Sequence, residues 1–185
     1  MEVENYNMAK KFLYLAVFII LSDFSQAYAL SNSADAFMSL PFGHSFARTQ
    51  KRMTNSGATV LTPRQTTLSM EGFFEGFPAR FIFGFHKKKG LKSKALYVQS
   101  SGNAAQDQFL YTSLQKAYNA QFGSGRESPI QNPRAAGKIM LRNIWTPDRY
   151  TTITLTYNPE ATNRFPTSAM SDRPVQLVYK YDKWD

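Results

Sequence analysis

Hydrophobic and polar positions along the chain change period several times, and each change marks an element. Phe46 and Met53 stand two helical turns apart, with Arg48, Lys51 and Arg52 on the opposite face. Ser45 before them and Gly57 after them supply a cap and a stop, which predicts a short helix over Phe46–Met53. The stretch "TVLTPRQTT" is mixed and broken by Pro63. From Leu68 the period becomes two. Leu68, Met70, Gly72 and Phe74 lie on one face, and Glu75-Gly76 makes a turn. Phe77, Ala79, Phe81, Phe83 and Phe85 then share a face opposite Pro78, Arg80, Ile82, Gly84 and His86. After "KKKG" a third strand runs Leu91–Ser100, with Leu91, Ala95 and Tyr97 on one side and Lys92, Lys94, Leu96 and Val98 on the other.

Helical spacing returns at Asn103, an N-cap with Gln106 as its capping-box partner. Leu110, Leu114, Ala117, Tyr118 and Phe122 form the apolar stripe, and Gly123 closes the helix. "RESPIQNPRAAG" reads as a loop. Strands are predicted over Lys138–Trp145, Tyr150–Tyr157 and Pro174–Trp184, the first two joined by a type I turn at Pro147. The order is helix, three strands, helix, three strands. It predicts an α+β fold: an antiparallel sheet of about six strands with two main helices packed on one face. The element order also suggests a duplicated helix-plus-three-strand unit, at 45–100 and 103–184.

The first stretch does not belong to that pattern. Met8–Ala29 has two lysines, an apolar run Phe12–Leu21 and a small-x-small end, Ala27-Tyr28-Ala29, the order of a secretory signal peptide. The run is about 10 residues, roughly half of what spans a bilayer. Glu2 and Glu4 precede it where a positive region belongs, which offers Met8 as an alternative start to Met1 for a signal peptide over 1–29. Cleavage after Ala29 leaves residues 30–44 as linker and N-terminal segment and 45–185 as one domain, with no transmembrane anchor. The chain has no Cys. Stability therefore rests on the core, and export without disulfides points to a bacterial periplasm or exterior. The formal net charge of +9 favours acidic partners. Export makes nucleic acid the least expected of them.

Catalytic chemistry is not visible. His44 and Ser45 are adjacent, whereas a triad assembles from distant segments. His44 and His86 are the two histidines, and without Cys they make no metal-ligand cluster. Glu71 and Glu75 fall roughly 13 Å apart along a strand, wider than a glycosidase pair. No phosphate-binding glycine loop occurs. The expectation is no catalytic residue, no metal and no cofactor. The alternating phenyl rings could stack bases, but strict alternation beside Ala79 favours a strand core. The lysines at 87–89 are a solvated turn in the bland reading. In the functional reading they form an anion-contact patch with Arg80, Lys92 and Lys94 on the face turned away from the phenyl rings.

"LPFGHSFARTQKRMTNSGATV", then "YTSLQKAYNAQFG", "TTITLTY" and "VQLVYKY", resemble small exported bacterial α+β modules, the SmpA/OmlA outer-membrane assembly lipoproteins and the β-lactamase-inhibitor-protein fold. That resemblance implies helix-plus-meander units that bind proteins and catalyse nothing. The lipoproteins carry a Cys at the processing site and this chain has none, so anchoring is not implied. The expected function is an exported, soluble, non-enzymatic binding or scaffold module. Its partner is a protein or anionic envelope polymer, met through a basic sheet face bearing Arg80, His86, Lys87, Lys88, Lys92 and Lys94. The alternatives are a binder of a small anionic or lipidic ligand in a cavity, and a hydrolase with an unrecognised site.

Overall fold

The computed structural model describes residues 33–131, 137–161 and 173–184. The expected signal peptide at 1–29 lies outside the described residues, as do 132–136 and 162–172 in two of the expected loops. The elements are α1 (residues 33–38), α2 (Phe46–Asn55), β1 (Thr59–Arg64), β2 (Thr67–Phe74), β3 (Phe77–His86), β4 (Gly90–Val98), α3 (Ala104–Phe122), β5 (Arg126–Glu127), β6 (Ile130–Gln131), β7 (Ile139–Trp145), β8 (Thr151–Tyr157) and β9 (Val175–Tyr181), closed by a 3-10 turn at Asp182–Trp184. The α+β class is as expected. The sheet has nine strands rather than about six, in the order β1-β2-β3-β4-β9-β8-β7-β5, with β6 also on β7.

The three additional strands are those without a hydrophobic period. β1 is exposed along nearly its whole length. Pro63 is tolerated there because an edge strand can do without one ladder donor. β5 and β6 are two residues each and share the far edge against β7. α1 arises in the segment expected to be linker, and its Phe37 is fully buried, with its ring centroid 5.4 Å from that of Phe81 and 6.0 Å from that of Phe83.

Local signals place the remaining elements. The Ser45 side chain accepts the Arg48 N–H, and Asn103 accepts the Ala105 N–H at 3.0 Å. The reciprocal bond is made by Ser101 and not by Gln106: the Asn103 N–H donates to the Ser101 hydroxyl oxygen at 3.1 Å. The buried Asp107 carboxylate accepts the Ser101 N–H at 2.9 Å and the Ser100 hydroxyl. Glu75 and Gly76 both have positive φ, as a two-residue hairpin of this twist requires. The α3 stripe is Leu110, Tyr111, Leu114 and Tyr118; Ala117 is exposed and Tyr111 takes its place.

The helices cover one sheet face. Phe81 and Phe83 are 0 % exposed. Phe37 of α1 lies over them, and Phe46 of α2 lies 5.1 Å from the Phe85 ring. α3 covers the other half: Tyr118 packs on Trp145, and Trp145 donates its indole N–H to Asn119 and to the Gly123 carbonyl at 3.1 Å each.

Strict alternation fails at one point in β4, and the failure redirects the candidate site. Gly84 pairs with Ser93 while the next residue, Phe85, pairs with Leu91, so Lys92 is an inserted residue. Such a bulge shifts the side-chain parity by one. Leu91 faces the core, and after the bulge so do Lys94, Leu96 and Val98, each 3 % exposed or less. The expectation that Lys94, Leu96 and Val98 face solvent is therefore corrected. Gly84 fits this geometry because a Cβ there would collide with the Ser93 hydroxyl.

Core truncation separates the two faces of the sheet experimentally. Phe81→Ala and Phe83→Ala should each cost about 3–5 kcal/mol, measured by chemical denaturation. Phe73→Ala, at a site 45 % exposed on the same hairpin, should stay within about 0.5 kcal/mol of the parent.

Candidate functional site: a cationic end of the sheet

Antiparallel pairing decides which turns meet. β4 pairs with β9 and β9 with β8, all antiparallel. The β3–β4 turn, the end of β9 and the start of β8 therefore share one end of the sheet. The β3–β4 turn brings the exposed Lys87, Lys88 and Lys89, the end of β9 brings Lys180 and Lys183, and the β7–β8 turn brings Arg149.

An aromatic shelf joins these segments. Phe42 stacks on Tyr181 with ring centroids 5.0 Å apart, and Trp184 meets the same Tyr181 edge-on at 4.9 Å. Tyr150 lies 5.9 Å from Tyr181 and carries the Arg149 guanidinium 4.6 Å and the Lys183 ammonium 5.3 Å from its centroid. Asp148 accepts the N–H groups of Tyr150 and Thr151, at 2.7 and 2.9 Å, and these bonds hold its carboxyl below the usual aspartate range.

Two clefts open into this end. One, of about 260 Å³, lies between the β3–β4 turn and the start of α2, and His86 and Lys87–Lys89 line it together with Ser45 and Gln65. The segment before α2 is stapled to the turn: the Gly43 N–H donates to Leu91 O at 2.9 Å and the Leu91 N–H to His44 O at 2.8 Å. Gly90 has φ +86°, and a Cβ on it would lie 2.7 Å from the Gly43 carbonyl carbon, so glycine is required for this approach. The His86 Nδ1 accepts the backbone N–H groups of Lys88 and Lys89 at 3.2 Å each. The imidazole thus fixes the lysine turn. The second cleft, of about 210 Å³, is lined by Lys92, Ser93, Lys180, Tyr181 and Asp182.

Of the expected site residues, the fold gathers His86, Lys87, Lys88 and Lys92 at this end, and the other two go elsewhere. Arg80 lies on the uncovered sheet face and donates to Glu71 at 2.7 Å across the β2–β3 register. That uncovered face is mixed rather than basic. One transverse row reads Ile82, Ala95, Val178, Thr154 and Ile144, and the next Glu71, Arg80, Tyr97, Gln176, Thr156 and Arg142.

Lys94 is inside. Its ammonium donates to the carbonyls of Phe37 and Met38 at 2.8 Å and of Leu40 at 3.0 Å, and sits 4.5 Å from the Tyr179 ring centroid. Phe37 and Met38 end α1 and Leu40 follows it, and the Phe37 carbonyl also accepts the Leu40 N–H at 3.3 Å, so Lys94 ties down the C-terminal end of α1 from across the core. Burial lowers its pKa to about 7, and the Arg52 charge pushes the same way; the three acceptors oppose that shift by favouring the charged form. Beside it, the Tyr118 and Tyr179 hydroxyls bond to each other, and burial pushes Tyr179 up to about 12.

Lys89 belongs to the expected lysine run, whereas Arg149, Lys180, Lys183 and the aromatic shelf carry no signal in the sequence pattern. Their place follows from the number of antiparallel steps between turns, which is readable only once β9 is known to pair with β4. A further cleft of about 290 Å³ between α3 and β7 has a different character. Its buried Asn143 and Tyr111 are bonded to each other at 2.6 Å, and Arg142 donates to the Ser128 carbonyl and hydroxyl. Among the described residues no three His, Cys, Asp or Glu side chains come together as a metal site.

Lys94 yields a pH prediction. Between its folded pKa of about 7 and the ordinary lysine value of 10.5, the unfolded chain holds a proton that the folded chain releases. Stability should therefore rise with pH through that window, by up to about 1.4 kcal/mol per pH unit. Urea midpoints of the parent and of Lys94→Met, compared from pH 7 to 10, should diverge in the parent's favour; parallel curves would show that the carbonyls keep the ammonium charged.

Comparison of the chain with protein-family models, with curated proteins and with solved structures returns no match.

Proposed function

We propose that this chain is an exported, soluble, non-enzymatic binding or scaffold module that recognises a protein or anionic envelope component through the cationic end of its sheet. The observation that carries the reading is the gathering of Lys87–Lys89, Lys180, Lys183 and Arg149 around an aromatic shelf at one end of the fold. Cations on separate strands, concentrated at one end, raise the local anion concentration and steer an acidic partner. The half-buried rings add apolar contact area at the centre of the patch.

The strand order supports the duplicated-unit reading and the resemblance to helix-plus-meander binding modules. On either side of the β4–β9 pair a helix precedes a meander, and the orders β1-β2-β3-β4 and β5/β6-β7-β8-β9 mirror each other across the sheet. The repeats are then 45–100 and 103–184. The leader-like order of Met8–Ala29 supports export to a bacterial periplasm or exterior. Among the described residues no helix is long and apolar enough to cross a membrane.

The test is retention on an anionic matrix across a salt gradient, followed by crosslinking in the native envelope. Charge reversal at Lys87, Lys88, Lys89, Lys180 and Lys183 should abolish retention and capture while the far-ultraviolet dichroism stays unchanged. Reversal at Arg80 should leave both intact, because Arg80 belongs to the uncovered face and to Glu71. A parent protein not retained at low salt on any polyanion ends the proposal.

A further inference from the structure

We infer that the cleft between the β3–β4 turn and the start of α2 binds the oxyanion of a phosphate ester. This deepens the proposed function and rests on it, naming the ligand chemistry of one part of the cationic end.

Each polar side chain that lines the cleft has a proton to donate. His86 receives two backbone N–H bonds on Nδ1, so the neutral ring carries its proton on Nε2, and its remaining polar atom is a donor. Ser45 uses its oxygen as acceptor for the Arg48 N–H, which leaves its hydroxyl proton to give. Gln65 adds an amide, and Lys87, Lys88 and Lys89 add ammonium groups. No carboxylate is among the described residues lining the cleft. An ammonium next to two others is repelled by both, and a multivalent anion reverses the sign of that interaction. Lysine binds phosphate as a point charge without needing the planar fork of arginine.

The size and lining of the cleft argue for an ester over a free inorganic ion. About 260 Å³ is far more than one small oxyanion fills. Phe46 and Phe85, with ring centroids 5.1 Å apart, add an apolar part to the lining. An organic substituent on the phosphate has a surface to lie on. The walls are fixed before any ligand arrives, by the Gly43–Leu91 and Leu91–His44 backbone bonds and by the imidazole brace. Preorganisation of this kind reduces the ordering cost of binding.

The experiment is a titration of the isotope-labelled chain with inorganic phosphate and with glycerol 1-phosphate, at ionic strength held constant with chloride, read by amide chemical shifts. The Lys88, Lys89 and Gly90 amides should move saturably, with glycerol 1-phosphate binding more tightly than phosphate. Lys87→Gln/Lys88→Gln/Lys89→Gln should weaken binding about tenfold or more, with an unchanged melting temperature; the parent titration stands by itself should that variant unfold. Sedimentation with phosphatidylglycerol and with phosphatidylcholine vesicles identifies the source. Lysine-dependent binding to the former alone supports a lipid headgroup; shifts without sedimentation support a soluble ester. Cleft amides that do not saturate, or a glutamine variant that binds like the parent, would overturn the inference. Salt-dependent retention on a polyanion that survives that failure would leave the broader function standing, whereas loss of both would remove the two together.

Discussion

One inserted residue in β4 governs which side chains of this molecule are inside. With Lys92 outside the register opposite Gly84, Leu91 and Lys94 both face the helices. The strand then delivers Leu96 to the core opposite Phe81 and Leu177. It also delivers a lysine to a place where an ammonium without partners would be severely destabilising. The fold answers with α1, whose last carbonyls converge on that ammonium and whose Phe37 lies over the phenyl cluster. The bulge, the buried cation and the short helix form one interdependent unit. Removing the bulge would turn Lys94, Leu96 and Val98 to water, uncover Phe37 and leave the end of α1 untied.

That unit also marks the limit of what the amino-acid order reveals. The phenyl alternation from Phe77 to Phe85, the Glu75-Gly76 hairpin, the caps at Ser45 and Asn103 and the three C-terminal strands are local patterns, and all of them appear where the periods place them. The bulge leaves no comparable trace, because "LKSKALYV" is polar throughout Lys92–Lys94 and apolar throughout Ala95–Val98, so it fixes no parity on either side of a skipped residue. Gly84 was the one local sign, a glycine inside a strand, and its meaning depends on a Ser93 that lies across the ladder. α1 is too short for a helical period, and β1, β5 and β6 hold their places by pairing alone. Sequence periodicity reports burial, so elements that are not half-buried go unseen.

The candidate site divides along the same line. His86, Lys87 and Lys88 are consecutive, so any turn keeps them together. Lys180, Lys183 and Arg149 join them because β9 pairs with β4, with Ser93 opposite Lys180 at this end, 87 positions on in the chain. Arg80 keeps the face that parity assigns it but sits in mid-strand, away from the sheet end, and Lys94 is turned inward because parity fails at Lys92. What survives is a cationic surface of a different shape: not a sheet face but a sheet end, with the clefts between turns replacing the flat docking plane.

The molecule places lysine in two opposite settings within a few residues. Lys94 has its three ammonium protons matched by three carbonyls, at distances of 2.8 to 3.0 Å, so it has no donor left for a ligand and is reserved for architecture. Lys87–Lys89 stand on a turn in which His86 accepts the Lys88 and Lys89 N–H groups, and their side chains are exposed. Burial lowers the proton affinity of the first lysine, whereas the others reach into solvent. An internal cation needs acceptors from its own chain; the surface run is braced by an imidazole that accepts backbone N–H groups, and no carboxylate is among the described residues lining its cleft.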